Sequence, residues 1–135
     1  MKGDHTKMKE ITACIANGST TCIDKDIGAG EISWYEHPKF KGVHLKHLIK
    51  GADTNGMLSS HMVRIDPYAV LEEHVHENQW ELHEVIEGDG RFFLASKEAF
   101  YHPGRMGIIP KGTKHKVVAG SKGLVMLAKF FPALI

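Results

Sequence analysis

Little in this chain points to secretion, a membrane or a nucleic acid. The 135 residues include only two cysteines, Cys14 and Cys22, with seven residues between them. That separation is wider than the close cysteine pairs of zinc sites, and the expectation is two reduced thiols in an N-terminal segment, not a redox or metal pair. Seventeen basic side chains face sixteen acidic ones, so the net charge of +1 offers no electrostatic case for nucleic-acid or membrane partners. Arginine is scarce, with only Arg64, Arg91 and Arg105. The N-terminus, Met1 to Glu10, is polar and carries no apolar signal-peptide core, and no run approaches the length of a membrane span. The expectation is a cytoplasmic protein. At 15.0 kDa the chain is long enough for one domain with its own core.

What the chain has in excess is histidine, with ten copies. Four of them stand in a telling order. His74 and His76 lie one residue apart, Glu81 follows five residues later, then His83, then a Gly88-Asp89-Gly90 turn. On a β-strand, residues two apart point to the same face, so His74 and His76 aim two imidazoles at one point. On a helix they would sit roughly 200° apart. Glu81 and His83 share a face in the same way, and the stretch reads as strand, short turn, strand. Several polar groups facing inward are expensive unless something cationic binds them. A helix competes locally, because Val75, Leu82, Val85 and Ile86 also fall on one side of a helix. The run Gly104 to Ala119 decides for strands. Its apolar segment ends in Pro110-Lys-Gly112, which is turn chemistry, and His115 then leads into β-branched Val117-Val118.

Taken together, His74, His76, Glu81 and Gly88, followed by Gly104, Pro110, Gly112 and His115, resemble the two sequence motifs of the cupin superfamily. Ala119 stands where the second motif usually ends in Asn, and Tyr68 where the first usually begins with Gly. Neither departure removes a ligand position. The resemblance covers about residues 57–131 and implies an all-β fold, a double-stranded β-helix (the jelly-roll or cupin barrel). Residues 1–30 are expected to form an N-terminal arm or loosely attached strand, and residues 31–135 the barrel domain. Strands are expected within Ile32–Glu36, Val43–Ile49 and Met57–Ile65, and over 91–95, 99–101, 105–109, 115–119 and 123–130. The resemblance also implies a homodimer. The apolar end, Phe130 to Ile135, is read as packing or subunit contact in preference to a ligand role.

By the same resemblance, His74, His76, Glu81 and His115 are the ligands of one divalent transition-metal ion. Three imidazoles and a carboxylate accept Fe, Mn, Ni, Zn, Co or Cu, and the sequence does not choose among them. His83 is the candidate catalytic residue, as general acid/base, with an extra ligand or a hydrogen-bond partner of the ligands as the alternatives. The expected function is a metal-dependent enzyme acting on a small polar, oxygen-rich or acidic molecule by isomerase/lyase or dioxygenase chemistry. The alternative is a non-catalytic module that binds or senses a metal or small ligand. Trp80 and Tyr101 are candidates for cavity wall or core. Arg64 or Arg91 would grip an acidic substrate if either faced the cavity. His61, Glu72 and Lys129 are read as surface positions, with the cavity mouth as the alternative. His5, His37, His44, His47 and His102 are read as solvated.

Overall fold

From Val43 onward, apolar residues alternate with polar ones, and that period of two builds a β-sheet with one face turned inward. The computed structural model describes residues 10–135. Residues 10–16 are helical, and ten strands follow. A small hairpin pairs β1 (Ser19–Thr21) with β2 (Asp26–Gly28). The remaining strands are β3 (Tyr35–Glu36), β4 (Val43–Ile49), β5 (Ser59–Ile65), β6 (Val70–His74), β7 (Trp80–Leu94), β8 (Lys97–Tyr101), β9 (Met106–Ile109) and β10 (His115–Phe131). They pair antiparallel in the order β3-β4-β5-β10-β7-β8, with β6 on β10 and β9 on β7. The result is the jelly-roll barrel of the cupins. No described helix is long and apolar enough to cross a membrane.

Two long strands hold the barrel together. Residues 115–119 of β10 lie between β6 and the second half of β7. After a bulge, residues 124–130 lie between β5 and the first half of β7. Each strand thus passes from one sheet to the other without leaving the ladder. The Gly88-Asp89-Gly90 segment, expected to be a turn between strands, is instead the corner of continuous β7, and 115–119 and 123–130 are halves of one strand. Glycine makes this possible. Gly88 has φ +88°, and a Cβ there would stand 2.1 Å from the carbonyl oxygen of Gly123. Gly88→Ala therefore sets backbone against backbone and adds left-handed strain. It is expected to lower stability by about 3 kcal/mol, measured by urea denaturation. Stability equal to wild type would show that the corner relaxes.

The N-terminal region holds a helical segment and a hairpin, and of the strand expected within Ile32–Glu36 only Tyr35–Glu36 forms. The reason lies outside the local sequence. Lys46, only 3% exposed on the outer side of β4, donates from Nζ to the carbonyl of Ala16. Met62, its cross-strand neighbour on β5, is fully buried. The N-terminal segment thus caps an outer sheet face that would otherwise be wet, and Trp34 lies under Arg64 on the same side. Both cysteines are free thiols.

Inside, Val85 and Phe92 of β7, Val117, Leu124 and Met126 of β10, and Val63 and Ile65 of β5 form one apolar cluster. The strand faces that carry it also carry Glu81, His83 and His115. The core therefore runs straight into a polar cluster, and the polar side chains inherit its rigidity.

Candidate metal centre

His74 is the last residue of β6, and His76 lies just past it in the loop to β7. That loop is tied down when the N–H of Gly112 donates to the carbonyl of His76 at 2.9 Å. The Pro110–Gly112 turn thus anchors the first histidine pair while delivering His115 to the start of β10. His115 sits directly opposite His74 in the ladder. Glu81 comes from β7, flanked by Ile109 and Phe130.

One potential ligand atom from each of His74, His76, Glu81 and His115 lies within 4.8 Å of the others, so this group could hold a metal ion. Their tautomers follow from their outer contacts. His74 Nδ1 donates to the carbonyl of Glu72 at 2.8 Å, and His115 Nδ1 to that of Thr113 at 2.9 Å. Each ring then turns a bare Nε2 lone pair inward, the arrangement in which imidazole binds a metal. Glu81 Oε1 and His115 Nε2 stand 3.1 Å apart, both buried, and among the described residues neither has a hydrogen-bond partner. Two lone pairs facing each other out of water are unfavourable, and a cation between them removes the conflict.

Burial opposes ionisation of Glu81, but His83, 2.9 Å from Oε2, outweighs that and holds its carboxyl well below the usual range. Burial also lowers the basicity of His74, to about 4, and of His76, so both imidazoles are neutral near pH 7. Neutral imidazoles around a carboxylate are the protonation states a divalent ion requires.

Behind Glu81 lies a second layer. His83 is fully buried, and its Nε2 donates to Glu81 Oε2 at 2.9 Å. Its Nδ1 pairs with the Tyr101 hydroxyl, also at 2.9 Å. Gly107 makes this possible, since a Cβ there would meet the Tyr101 hydroxyl at 2.3 Å.

The cluster opens into a cavity of about 260 Å³, near the lower end of the roughly 300–1,000 Å³ usual for small-molecule sites. Its walls are mainly apolar, with Leu45, Val63, Leu71, Met126 and Phe130 prominent, and among the described residues neither lysine nor arginine lines it. His83 and Tyr101 do not border it. Trp80 faces outward at 40% exposed, and Tyr101 is core at 1%. Neither arginine faces the cavity, since Arg64 lies over Trp34 and Arg91 is 3.4 Å from Glu98 on the surface. Lys129 pairs with Glu84, and Glu72 is exposed.

Several sequence expectations are corrected here. His61, read as surface, is 2% exposed and lines the cavity together with His37 and His47, which were read as solvated. The signal was present in the pattern. His47 shares parity with Val43 and Leu45, and His61 with Val63 and Ile65, so the apolar faces of β4 and β5 place both inward. Leu134 and Ile135, read as packing or subunit contact, also border the cavity. His44 pairs with Asp66 and His102 with the carbonyl of Pro103, away from the site. His5 lies outside the described residues.

Comparison with known proteins fits this geometry. The family described as Cupin domain matches residues 61–129. Among solved structures, KdgF from Halomonas sp. has a TM-score of 0.68 at 23% identity, over 78% of this chain and 93% of that one. A predicted oxalate decarboxylase from Thermotoga maritima reaches 0.70 at 21% identity, over 78% and 97%. Oxalate decarboxylase from Bacillus subtilis, a protein with Mn(II) centres, gives 0.68 at 20% identity over 78% of this chain and 29% of that one. No curated protein matches the sequence.

Proposed function

The chain belongs to the Cupin domain family, and from that premise we propose that it is a metal-dependent enzyme acting on a small organic molecule. His74, His76, Glu81 and His115 hold one divalent transition-metal ion. The observation that carries this reading is the buried, partnerless pair Glu81 Oε1 and His115 Nε2, 3.1 Å apart. Among the described residues nothing satisfies them, and a cation satisfies both. The donor set suits Fe, Mn, Ni, Zn, Co or Cu, and manganese has a precedent in the Bacillus subtilis decarboxylase. Such an ion, when bound, supplies Lewis acidity toward oxygen atoms of a ligand.

The chain's own residues do the rest. The apolar walls exclude water and bind the body of the ligand. With no lysine or arginine on the lining among the described residues, the fit is to a molecule that is compact and largely neutral, with oxygen atoms at one end. This narrows the sequence expectation of an oxygen-rich or acidic substrate. His83 acts through Glu81: both of its nitrogens are engaged and it does not border the cavity, so its role is to orient the carboxylate.

The test is elemental analysis of the purified chain together with calorimetry before and after chelation. About one ion per chain is expected, with the fold retained when it is removed and uptake restored by divalent ions. Failure to take up Mn(II), Fe(II), Co(II), Ni(II), Cu(II) or Zn(II) would sink the assignment.

A further inference from the structure

The cavity contains a second polar group that owes nothing to the metal cluster. The Tyr35 hydroxyl lies 2.5 Å from His47 Nε2. His47 Nδ1 lies 2.7 Å from His61 Nδ1, and His61 Nε2 lies 2.9 Å from Ser59 Oγ. Ser59 Oγ in turn accepts the N–H of Leu134 at 2.9 Å. The chain of contacts begins at a phenol 40% exposed on the cavity lining and ends at a fully buried hydroxyl. Phe130 stands between it and the metal cluster, with its ring 5.5 Å from His61 and 4.9 Å from His76.

Two imidazole Nδ1 atoms at 2.7 Å share one proton, because neither two lone pairs nor two N–H groups fit there. That forces a direction on the whole chain. In one direction Tyr35 donates to His47 Nε2, His47 Nδ1–H donates to His61 Nδ1, and His61 Nε2–H donates to Ser59. In the other, every donor and acceptor is exchanged. Both are complete, so a proton can enter or leave at Tyr35 without stranding a buried group. Burial lowers the basicity of both rings, His61 to about 4, so the pair is neutral near pH 7.

We propose that Tyr35, backed by the shared-proton pair His47–His61, is the acid/base group of this cavity, and that its substrate is a small, neutral, enolisable hydroxy-ketone. The proposal rests on the metal-site reading above and names the proton-handling residues and ligand class for it. In the step, the C–H bond beside the carbonyl breaks and its electron pair moves into the enolate. The proton goes to the Tyr35 oxygen, which passes its own proton to His47 Nε2. His47 then carries two N–H groups, one facing Tyr35 and one facing His61 Nδ1, and its positive charge balances the enolate. The reverse transfer returns a proton to carbon. A neutral hydroxy-ketone fits the lining, since it has adjacent oxygen atoms for the metal end, an apolar body for Leu45, Val63 and Met126, and no charge needing a lysine or arginine.

The experiment uses the full metal-loaded chain with acetoin (3-hydroxybutan-2-one) in D2O, following loss of the C3 proton by NMR. Wild type is expected to exchange it faster than the metal-free protein does. Tyr35→Phe and His61→Asn are expected to slow kcat for exchange about 100-fold, with metal content and acetoin affinity within about twofold of wild type. A structural role alone would lower metal content, binding or folding and leave no such split. A second readout needs neither metal nor turnover. In nitrogen-15-labelled protein, one far-downfield proton should correlate with Nδ1 of both His47 and His61, vanish in His61→Asn and shift in Tyr35→Phe. Absence of that proton overturns the proposal, as does a metal-replete wild type that does not exchange acetoin, or variants that exchange it at the wild-type rate. A wild type that takes up no metal overturns the metal reading instead, and the shared-proton measurement still decides the relay.

Discussion

Glu81→Gln is expected to empty the metal centre while making the metal-free protein more stable. Glutamine matches glutamate in shape. Its carbonyl oxygen can still accept from His83 Nε2, and its amide can donate to the lone pair of His115 Nε2, 3.1 Å from Oε1 in the wild type. The partnerless pair is thereby satisfied without an ion, and a buried charge is removed. The metal-free variant should gain about 1 kcal/mol over metal-free wild type, raising Tm by roughly 3–5 °C for a domain of this size. The price appears in binding. Glu81 is the only anion among the four donors, and its loss should weaken the site at least about 1,000-fold, or about 4 kcal/mol. Wild type should gain about 2.7 kcal/mol from a divalent ion at a hundred times its Kd, and the variant nothing. Calorimetry with and without Mn(II) or Zn(II), alongside elemental analysis, reads both effects. A variant that keeps one ion per chain would show that the ion, if any, is not held by Glu81.

His83→Ala should damage the protein from behind the site. The substitution strips Glu81 Oε2 and the Tyr101 hydroxyl of their partner at once, and leaves a hole in the core. Breaking a buried charged contact typically destabilises by about 3–5 kcal/mol, and about 4 kcal/mol here corresponds to a drop in Tm of roughly 12–20 °C. Metal affinity should fall as well, because an unrestrained Glu81 no longer points at one place, by about 10–100-fold. If His83→Ala proves too unstable to study, Tyr101→Phe is the gentler probe. It removes one hydroxyl, should destabilise by about 1 kcal/mol, and should weaken metal binding about tenfold through the freed rotation of His83. Unchanged stability and metal affinity in both variants would defeat the orienting role and return His83 to consideration as a group that meets the substrate.

These two experiments concern residues that could be named from the sequence, and there is a reason for that. His74, His76, Glu81, His83 and His115 were legible in part from local rules and in part from the resemblance to the cupin motifs, which joins His115 to the others. Strand parity placed Glu81 and His83 on one face, and Pro110-Lys-Gly112 forced the turn that delivers His115. The same parity, applied to β4 and β5, pointed His47 and His61 inward. It went unused because a histidine with no partner nearby in sequence looks like a solvated one. The N-terminal helical turn was missed for a related reason. Its apolar residues Ile11, Cys14 and Ile15 span too short a run to declare a helix by themselves, and its place is set by Lys46, thirty residues away, donating to Ala16.

From the sequence, strand parity paired His74 with His76 and Glu81 with His83, and turn chemistry set the Pro110–Gly112 turn. The barrel and the joining of His115 to His74, His76 and Glu81 came from the resemblance to the cupin motifs. Only the tertiary structure decided what shares the cavity with them. Which strands lie side by side depends on the register of β4 on β5 and of β5 on β10, and that register brings His47 opposite His61 and His61 opposite Ala128. It depends as well on the final residues folding back so that the Leu134 N–H reaches Ser59. Such contacts join residues 14 and 75 positions apart. They are selected by how the whole core closes, and no local pattern carries that information.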